Sequence, residues 1–203
     1  MDNQKSFAVT GFYTQYNNFI EELNYIGRDP NSGYMIYQAI NLDKSHIYGI
    51  EAKAQMNLFT IQNGNGNIGI NASLAYAKGR ENRTKNPINS VEPLTAVFGV
   101  DYTYLDNFYL SARIKAVQAK KENDIYNSPS ERSPLNHSAG YATVDLITEY
   151  KPEKNITINA GLYNIFDKEY ITWSNRMMQQ SASDIRRASN PGFNAAISVK
   201  YEF

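Results

Sequence analysis

Apolar and polar side chains alternate along most of this chain, and the alternation recurs in separate stretches. In the stretch GIEAKAQMNL, apolar residues occupy every second position from Ile50, and polar residues lie between them. A period of two is typical of a β-strand whose two faces meet different surroundings. The other stretches with this pattern are SFAVTGFYTQY, NIGINASLAY, LTAVFGVDYTY, FYLSARIKA, ATVDLITEY, NITINAGL and residues 192–203. We therefore predict about eight strands, and no segment has a helical period.

The apolar faces of these predicted strands carry no charged residue. In the stretch that starts at Gly49, the apolar face consists of Ile50, Ala52, Ala54, Met56 and Leu58. Uncharged faces of this kind fit a soluble β-sandwich, which hides one face of each sheet, and they also fit a transmembrane β-barrel. The faces alone do not choose between these two folds.

The lengths of the connections between strands separate the two folds. Long connections are predicted at 23–34, 79–91, 120–140 and 167–191, and short ones at 62–67, 106–107 and 151–154. Long and short connections therefore alternate along the chain, so that all short turns fall at one end of the strands. This parity is typical of an antiparallel outer-membrane meander barrel, whereas a sandwich with Greek-key links has no reason to keep it.

Aromatic residues collect at the short-turn ends of the predicted strands. These residues are Tyr102, Tyr104, Phe108, Tyr150, Tyr201 and Phe203. A ring of aromatic side chains at one level is typical of a membrane–water boundary. The alternative is a set of edge aromatics in a soluble sandwich, and that alternative must also explain the parity of the connections.

The composition excludes several kinds of function. Twenty basic residues balance twenty acidic ones, so the chain has no bulk attraction to nucleic acid. There is no cysteine, which removes disulfides, thiolate metal sites and thiol nucleophiles. No apolar leader follows Met1, and we interpret this as either a cytoplasmic protein or a piece of a longer one.

Several motifs in order resemble the C-terminal barrel of TonB-dependent outer-membrane receptors. Residues 141–173 contain the sequence Asn-x-Phe-Asp-x-x-Tyr, formed by Asn164, Phe166, Asp167 and Tyr170, which resembles the end of the family's penultimate strand. IYGIEAKAQ looks like another strand of the family. The chain also finishes on an aromatic strand, and in this family such a strand is recognised by the barrel-assembly machinery. The resemblance implies Tyr201 and Phe203 as that membrane-insertion signal.

Within the family, four stretches look most like the receptors for haem, haemoglobin, transferrin and lactoferrin. They are FYTQYNNFIE, YQAINLDKSHIYGIE, AYAKG and GYATVDL. One departure is Phe193, where relatives commonly have arginine after Pro-Gly. The resemblance implies an outer-membrane protein in contact with lipid, which captures haem or a host iron carrier on extracellular loops. It also implies that the TonB complex supplies energy through a plug.

A complete member of the family has a plug followed by 22 strands. We therefore expect residues 1–203 to be the C-terminal part of such a barrel, with the plug and earlier strands absent from this sequence. The alternative is a small standalone barrel of about eight strands with a structural or adhesin role.

Candidate ligand-binding residues lie in the predicted long connections. His137 is the candidate axial ligand for a transported haem, with an exposed loop histidine as the plainer interpretation, and His46 is a weaker candidate. Arg, Tyr and Trp are frequent anchors of protein interfaces. The candidates for contact with a partner protein are Tyr126, Arg132, Trp173, Arg176, Arg186 and Arg187.

The residues do not support an enzyme, an intrinsic cofactor or a metal site. His137, Ser138 and Asp145 could be assembled into a triad on paper, but adjacent residues on a strand project to opposite faces, and no nucleophile elbow surrounds them. With two histidines and no cysteine, the chain offers few of the nitrogen and sulfur ligands that a zinc-type metal site needs. The polar faces of the strands carry charges, such as Asp101 and Arg113, that suit a hydrated barrel interior.

Overall fold

A computed structural model describes residues 5–61, 65–127, 137–178 and 182–203 of the chain. Eight strands form one sheet in which each strand pairs antiparallel with the next, so the order in space is the order in sequence. The strands are β1 Lys5–Arg28, β2 Met35–Ile61, β3 Gly66–Glu81, β4 Thr95–Tyr104, β5 Phe108–Val117, β6 Tyr141–Glu153, β7 Ile156–Tyr163 and β8 Asn194–Tyr201. The predicted all-β meander of about eight strands is confirmed.

The two faces of the sheet are opposite to those of a soluble protein. Phe98, Val100 and Ile114 lie on the predicted apolar face, and each exposes more than two-fifths of its surface. On the other face, Ser111 is fully buried and Thr143 is 6% exposed. Apolar side chains outside and polar side chains inside are the arrangement of a barrel wall that faces lipid. We call the apolar face the outward face and the polar face the inward face.

The register keeps this division intact from strand to strand. Ile70 on β3 pairs with Val100 on β4, and Val100 pairs with Ala112 on β5, all on the outward face. The inward neighbours Gly69, Asp101 and Ser111 form the next row in the same way. A slip of one residue would move Asp101 into lipid, so the alternation itself specifies the register.

The sheet is open among the described residues. Its strand pairs run from β1–β2 to β7–β8, and none of them joins β8 back to β1. All eight residues of β8 are exposed. Both edge strands therefore carry backbone donors and acceptors that are available for pairing with further strands.

The predicted parity of turns is confirmed, with a correction at the first connection and another at the last short turn, which lies at residues 154–155 and not at 151–154 because β6 continues to Glu153. Short turns link β2 to β3, β4 to β5 and β6 to β7 at one end of the sheet, which we call the turn end; the longer connections lie at the loop end. The predicted long connection at 23–34 is wrong, because β1 and β2 continue as a paired hairpin up to Arg28 and Met35. Register shifts between Glu21 and Asn24 and between Tyr25 and Gly27 interrupt the alternation there, which hides the strand from its pattern.

A second bulge corrects the assignment of Leu58. Asn57 pairs with Gly69 and Phe59 pairs with Ile68, so Leu58 is the extra residue of a bulge. Phe59 thereby takes the outward position opposite Ile68, where the regular alternation predicted Leu58. Phe59 is 52% exposed and Leu58 37%.

The expectation of no helix is wrong in the long connections. The connection between β7 and β8 contains α1 Trp173–Met177 and α2 Ala182–Arg187, and a 3₁₀ turn occupies Glu122–Asp124. Helices of five and six residues are too short to give a period in the sequence. None of the helices in the described residues is long and apolar enough to cross a membrane.

The aromatic ring at the turn end is present in the structure. The ring centroid of Phe108 lies 6.1 Å from that of Tyr102 and 6.4 Å from that of Tyr150, both edge to face. Tyr201 and Phe203 form a third edge-to-face pair at 5.1 Å. These geometries are favourable for aromatic pairs, and they join β4, β5 and β6 at one level.

The assignment of faces predicts the effect of one charge. Val100→Arg places a cation on the outward face, and we expect it to lower the free energy of unfolding of the barrel in micelles by about 2–4 kcal/mol. Gln55→Arg is the matched control, because Gln55 lies on the inward face and is exposed. Urea titration of the full-length protein measures both. An equal or larger cost for Gln55→Arg would show that the faces are reversed.

Candidate functional site

Three long connections meet at the loop end, and one asparagine joins them. The connections are residues 82–94, 118–140 and 164–193, which we call the loop layer. The side chain of Asn89 binds the backbone of Tyr126 twice: Nδ2 donates to Tyr126 O and Oδ1 accepts from Tyr126 N, both at 2.8 Å. The carbonyl oxygen of Asn89 accepts a hydrogen bond from Trp173 Nε1 at 2.6 Å. Asn89 therefore links all three connections.

Trp173 is the apolar centre of this layer. It is 1% exposed and packs with Ile125 and Met177, which are also buried. The ammonium nitrogen of Lys120 lies 5.3 Å from the centroid of the Trp173 ring, a cation–π distance, and donates to Val91 O at 2.5 Å. The Trp173 ring is in contact with apolar side chains and Lys120, and its N–H is hydrogen-bonded to Asn89. Trp173 therefore fixes the three connections of the loop layer to one another.

The predicted partner-binding residues divide into buried and exposed sets. Trp173 and Arg176, expected on the surface, are buried inside the loop layer, because the first residues of α1 turn toward Asn89 and Ile125. Burial lowers the pKa of the Arg176 guanidinium. Arg186 and Arg187 are exposed on α2.

Tyr126 and Arg132 complete the predicted set. Tyr126 is half-buried, and its backbone is the part held by Asn89. Arg132 lies outside the described residues. The exposed candidates in the described loop layer are therefore Arg186 and Arg187, and Tyr126 is a half-buried one.

The motif that carries the resemblance to the receptor family forms a locked turn. Asn164 is 4% exposed and has a φ of 49°, a left-handed conformation that asparagine tolerates. Its side chain exchanges hydrogen bonds with the backbone of Lys168, both at 2.9 Å, and donates to Pro191 O at 3.3 Å. Its N–H donates to Asp145 Oδ1 at 2.7 Å. The turn thus fastens both ends of the connection between β7 and β8 to β6.

The remaining motif residues extend this anchor. Asp167 Oδ1 accepts a hydrogen bond from Phe193 N at 2.8 Å, which holds the entry to β8. A Cβ at Gly192 would lie 2.2 Å from Asp167 Oδ1, so a side chain there would displace the carboxylate. Tyr170 stacks on Tyr141 with ring centroids 4.2 Å apart. Burial, and then the negative charge of Asp145, raise the pKa of the Tyr170 hydroxyl.

The two histidines have different surroundings. His137 is exposed and precedes Ser138, whose N–H and carbonyl exchange hydrogen bonds with the backbone of Lys120 at 3.2 and 3.1 Å. The ring of His46 stacks between Tyr13 and Tyr48, and its Nδ1 lies 2.5 Å from Asn82 Oδ1. His137 is thus a surface imidazole beside an anchored backbone, while His46 is held from three sides.

Two residues of the triad considered from the sequence have hydrogen-bond partners outside it. Ser138 is buried, and its Oγ accepts a hydrogen bond from the Lys120 N–H at 3.4 Å. Asp145 is engaged by the N–H of Asn164. In the described part of the chain, no group of three or more His, Cys, Asp or Glu residues is placed to hold a metal ion.

The inward face of the wall carries a connected polar network. Asp101 accepts hydrogen bonds from Asn71 Nδ2 and, at 2.8 Å, from the Tyr109 hydroxyl. Arg113 donates to that hydroxyl at 3.1 Å and to Ser111 Oγ at 3.0 Å. The predicted charges at Asp101 and Arg113 are therefore linked through Tyr109 across β4 and β5, and they form a hydrophilic inner surface.

Asn89 and Lys120 were not anticipated from the sequence. Asn89 occupies an unremarkable loop position, and its contact with Trp173 spans 84 residues of chain. A lysine in a long loop is ordinarily a solvated charge, whereas Lys120 is 6% exposed. A single sequence has no local signal for either role.

Comparison with known proteins identifies one family. Residues 1–165 match the family model described as TonB dependent receptor-like, beta-barrel. Hemoglobin and hemoglobin-haptoglobin-binding protein A of Haemophilus influenzae is 33% identical over 99% of this chain and 21% of its own length. Hemoglobin-haptoglobin utilization protein B of Neisseria meningitidis serogroup A is 29% identical over 97% of this chain and 28% of its own length. The chain therefore spans between a fifth and a third of these relatives.

Solved structures share the fold. The copper transporter OprC matches 100% of this chain and 29% of its own, with a TM-score of 0.77 at 23% identity. The FrpB iron transporter from Neisseria meningitidis matches 100% of this chain and 30% of its own, with a TM-score of 0.68 at 14% identity. The eight-stranded sheet is thus the same kind of wall as in these larger barrels. The names of these relatives and neighbours describe binding proteins and transporters.

Asn89 predicts a specific change in the loop layer. Asn89→Ala removes both side-chain hydrogen bonds to Tyr126, and we expect faster hydrogen exchange at the Tyr126 amide by at least about fivefold. Asn89→Asp keeps the acceptor for that amide and should retain most of the protection. Asn123→Ala, at an exposed position of the 3₁₀ turn Glu122–Asp124 where the side chain makes no hydrogen bond to a described residue, is the control. Unchanged exchange in Asn89→Ala would contradict the linking role of Asn89.

Proposed function

The chain belongs to the TonB-dependent receptor β-barrel family, whose members are bacterial outer-membrane proteins, and we propose that it forms the C-terminal part of a receptor barrel for haem or iron from a host carrier protein. The relatives support this proposal most directly. Proteins named for binding hemoglobin and hemoglobin-haptoglobin align with 99–100% of this chain, and a protein named for hemoglobin-haptoglobin utilization aligns with 97% of it. We therefore propose host haemoglobin, free or bound to haptoglobin, as the carrier.

The open sheet supports the proposal that further strands complete the barrel. Both β1 and β8 have free edges among the described residues, and eight strands account for about a third of the 22 proposed. A standalone barrel of eight strands would pair β1 with β8. The reading frame upstream of Met1 separates these two possibilities, because a receptor requires a plug and about 14 further strands there.

The proposed mechanism assigns separate roles to the loops and the wall. The loop layer would meet the carrier at the cell surface, with Tyr126, Arg186 and Arg187 as contact residues in the described part, and Arg132 and residues near it in addition. TonB would supply energy through a plug in another part of the polypeptide. The released ligand would then pass along the inward face, where the network of Asp101, Tyr109 and Arg113 offers a hydrated surface.

His137 is our candidate for direct contact with haem. It is the exposed histidine of the loop layer, and an imidazole can serve as an axial ligand to haem iron. Haem is proposed here as the transported ligand, and the proposal includes no resident cofactor.

A binding experiment tests the proposed ligand and the role of His137 together. We expect immobilised full-length receptor to capture haemoglobin and haemoglobin–haptoglobin, and to capture transferrin and lactoferrin at least about tenfold less. His137→Ala should reduce the haem absorbance retained by the receptor, whereas His46→Ala should leave it unchanged, because His46 is already stacked and hydrogen-bonded. Capture of transferrin alone would overturn the choice of carrier. Equal haem retention in the two variants would remove His137 from the proposal.

The terminal aromatic pair predicts a requirement for assembly. We propose that Tyr201 and Phe203 form the signal read by the barrel-assembly machinery; Phe203 is fully exposed at the turn end, where a partner can reach it. Deleting Phe203 should lower the amount of heat-modifiable receptor in the outer membrane several-fold. Phe203→Tyr keeps an aromatic end and should assemble normally. Normal assembly of the deletion variant would refute this role.

A further inference from the structure

The outward face changes from apolar to cationic at the loop end of β2 and β3. On β3 the outward positions run from Ile68 to Tyr76 and continue with Lys78 and Arg80. The distance from Ile68 to Lys78 along the strand is about 33 Å, or about 25 Å across the membrane once the strand tilts by about 40°. This is the height of an outer-membrane apolar band, so the cations begin at the level of the lipid headgroups.

A stacked row of rings marks the same level. The ring of His46 lies 5.8 Å from that of Tyr13 at an interplanar angle of 18°, and 6.1 Å from that of Tyr48 at 15°. Tyr48 pairs with Lys78 and His46 pairs with Arg80, so the rings and the cations share the same two rows of cross-strand partners. Amphipathic rings are favourable at the membrane–water boundary. Asn82 Oδ1, 2.5 Å from His46 Nδ1, fixes the row to the loop that follows β3.

A recess opens immediately beyond this row. It is lined by Lys44 and Arg83 together with the amides of Asn17, Asn18 and Asn82. Lys44 and Asn17 are cross-strand partners on β2 and β1, and Asn82 N donates to Lys44 O at 2.8 Å. The lining thus combines an ammonium, a guanidinium and three amides.

Among the side chains that the structure describes, the cations around the recess outnumber the carboxylates. Arg83 Nε lies 3.9 Å from Glu81 Oε1, Lys78 Nζ lies 3.6 Å from Asp124 Oδ1, and Arg80 donates to the carbonyl of Lys85. Four cations (Lys44, Lys78, Arg80 and Arg83) therefore face two carboxylates among the described side chains. Glu81 is itself buried and accepts a hydrogen bond from the Thr84 hydroxyl, which reduces its part in the surface charge.

We propose that the recess between Lys44 and Arg83 binds the phosphate groups of a phosphorylated lipid of the outer leaflet. A guanidinium and an ammonium that line one recess suit phosphate oxygens, and the amides suit the sugar or glycerol hydroxyls of a headgroup. The acyl chains of the same molecule would lie on the apolar band below, against outward residues such as Val9 and Ile50. This site faces the membrane, and its argument rests on the outer-membrane orientation and is independent of the proposed haem carrier.

Lipid titration of the full-length receptor tests the site. The probe is diphosphorylated lipid A in maltoside micelles, added to delipidated receptor and followed by native mass spectrometry. We expect the double variant Lys44→Gln, Arg83→Gln to weaken lipid binding at least about tenfold, because each basic side chain near an anionic headgroup contributes to the affinity for the lipid. The double variant Lys151→Gln, Lys154→Gln removes the same charge at the turn end and should bind within about twofold of the unchanged protein.

Two further arms distinguish the sources of the phosphate. Lipid A without phosphates should bind at least about tenfold more weakly, and inorganic phosphate at millimolar concentration should not displace the lipid. The charge-preserving variant Lys44→Arg, Arg83→Lys should retain binding, and its heat-modified mobility reports that the barrel is folded. Unchanged binding in the glutamine variant, tight binding of dephosphorylated lipid, or displacement by inorganic phosphate would each overturn the proposal.

Discussion

Backbone pairing between neighbouring strands is the interaction on which every other feature of this wall depends. A membrane interior offers no partner for an exposed N–H or carbonyl, so each strand that crosses it must be paired along its length. The register that satisfies the backbone also sorts the side chains, because Val100 and Asp101 point to opposite faces. Strand pairing, contact with lipid and a hydrated inner surface therefore follow from one constraint. Among the described residues, β1 and β8 each have one edge without a partner strand.

In the loop layer, side chains and not neighbouring strands provide several of the hydrogen-bond partners of the backbone. Away from the sheet, side-chain amides and carboxylates replace neighbouring strands: Asn89 pairs with Tyr126 much as a strand residue would, and Asn164 does the same for Lys168. At the hairpin tip, Asp29 Oδ1 accepts hydrogen bonds from the N–H groups of Asn31 and Ser32 and from the Ser32 hydroxyl. These bonds lower the pKa of the Asp29 carboxyl. Long connections are thereby ordered by a few polar residues.

The parts of the structure that the sequence predicted are those with a local, repeated signal. Alternation identified the strands, their faces and the ring of Phe108 and Tyr150, because each of these features has a signal within a short stretch of sequence. The bulge at Leu58 broke that alternation by one residue, and the bulges after Glu21 hid the far end of the first hairpin. The burial of Trp173 was out of reach, since its partner Asn89 lies 84 residues away and no short pattern connects them.

The buried anchors change how the loop layer would engage a protein. Trp173 and Arg176 have the side chains of interface hot spots, yet their contacts are internal, so they cannot be the first residues to meet a partner in this conformation. Trp173 holds α1 against Asn89 and Ile125, which limits the conformations that the connection between β7 and β8 can adopt. A surface ordered before contact loses less entropy on binding. In the proposed contact with a carrier protein, the exposed Arg186 and Arg187 on α2 would therefore belong to a surface that is already ordered.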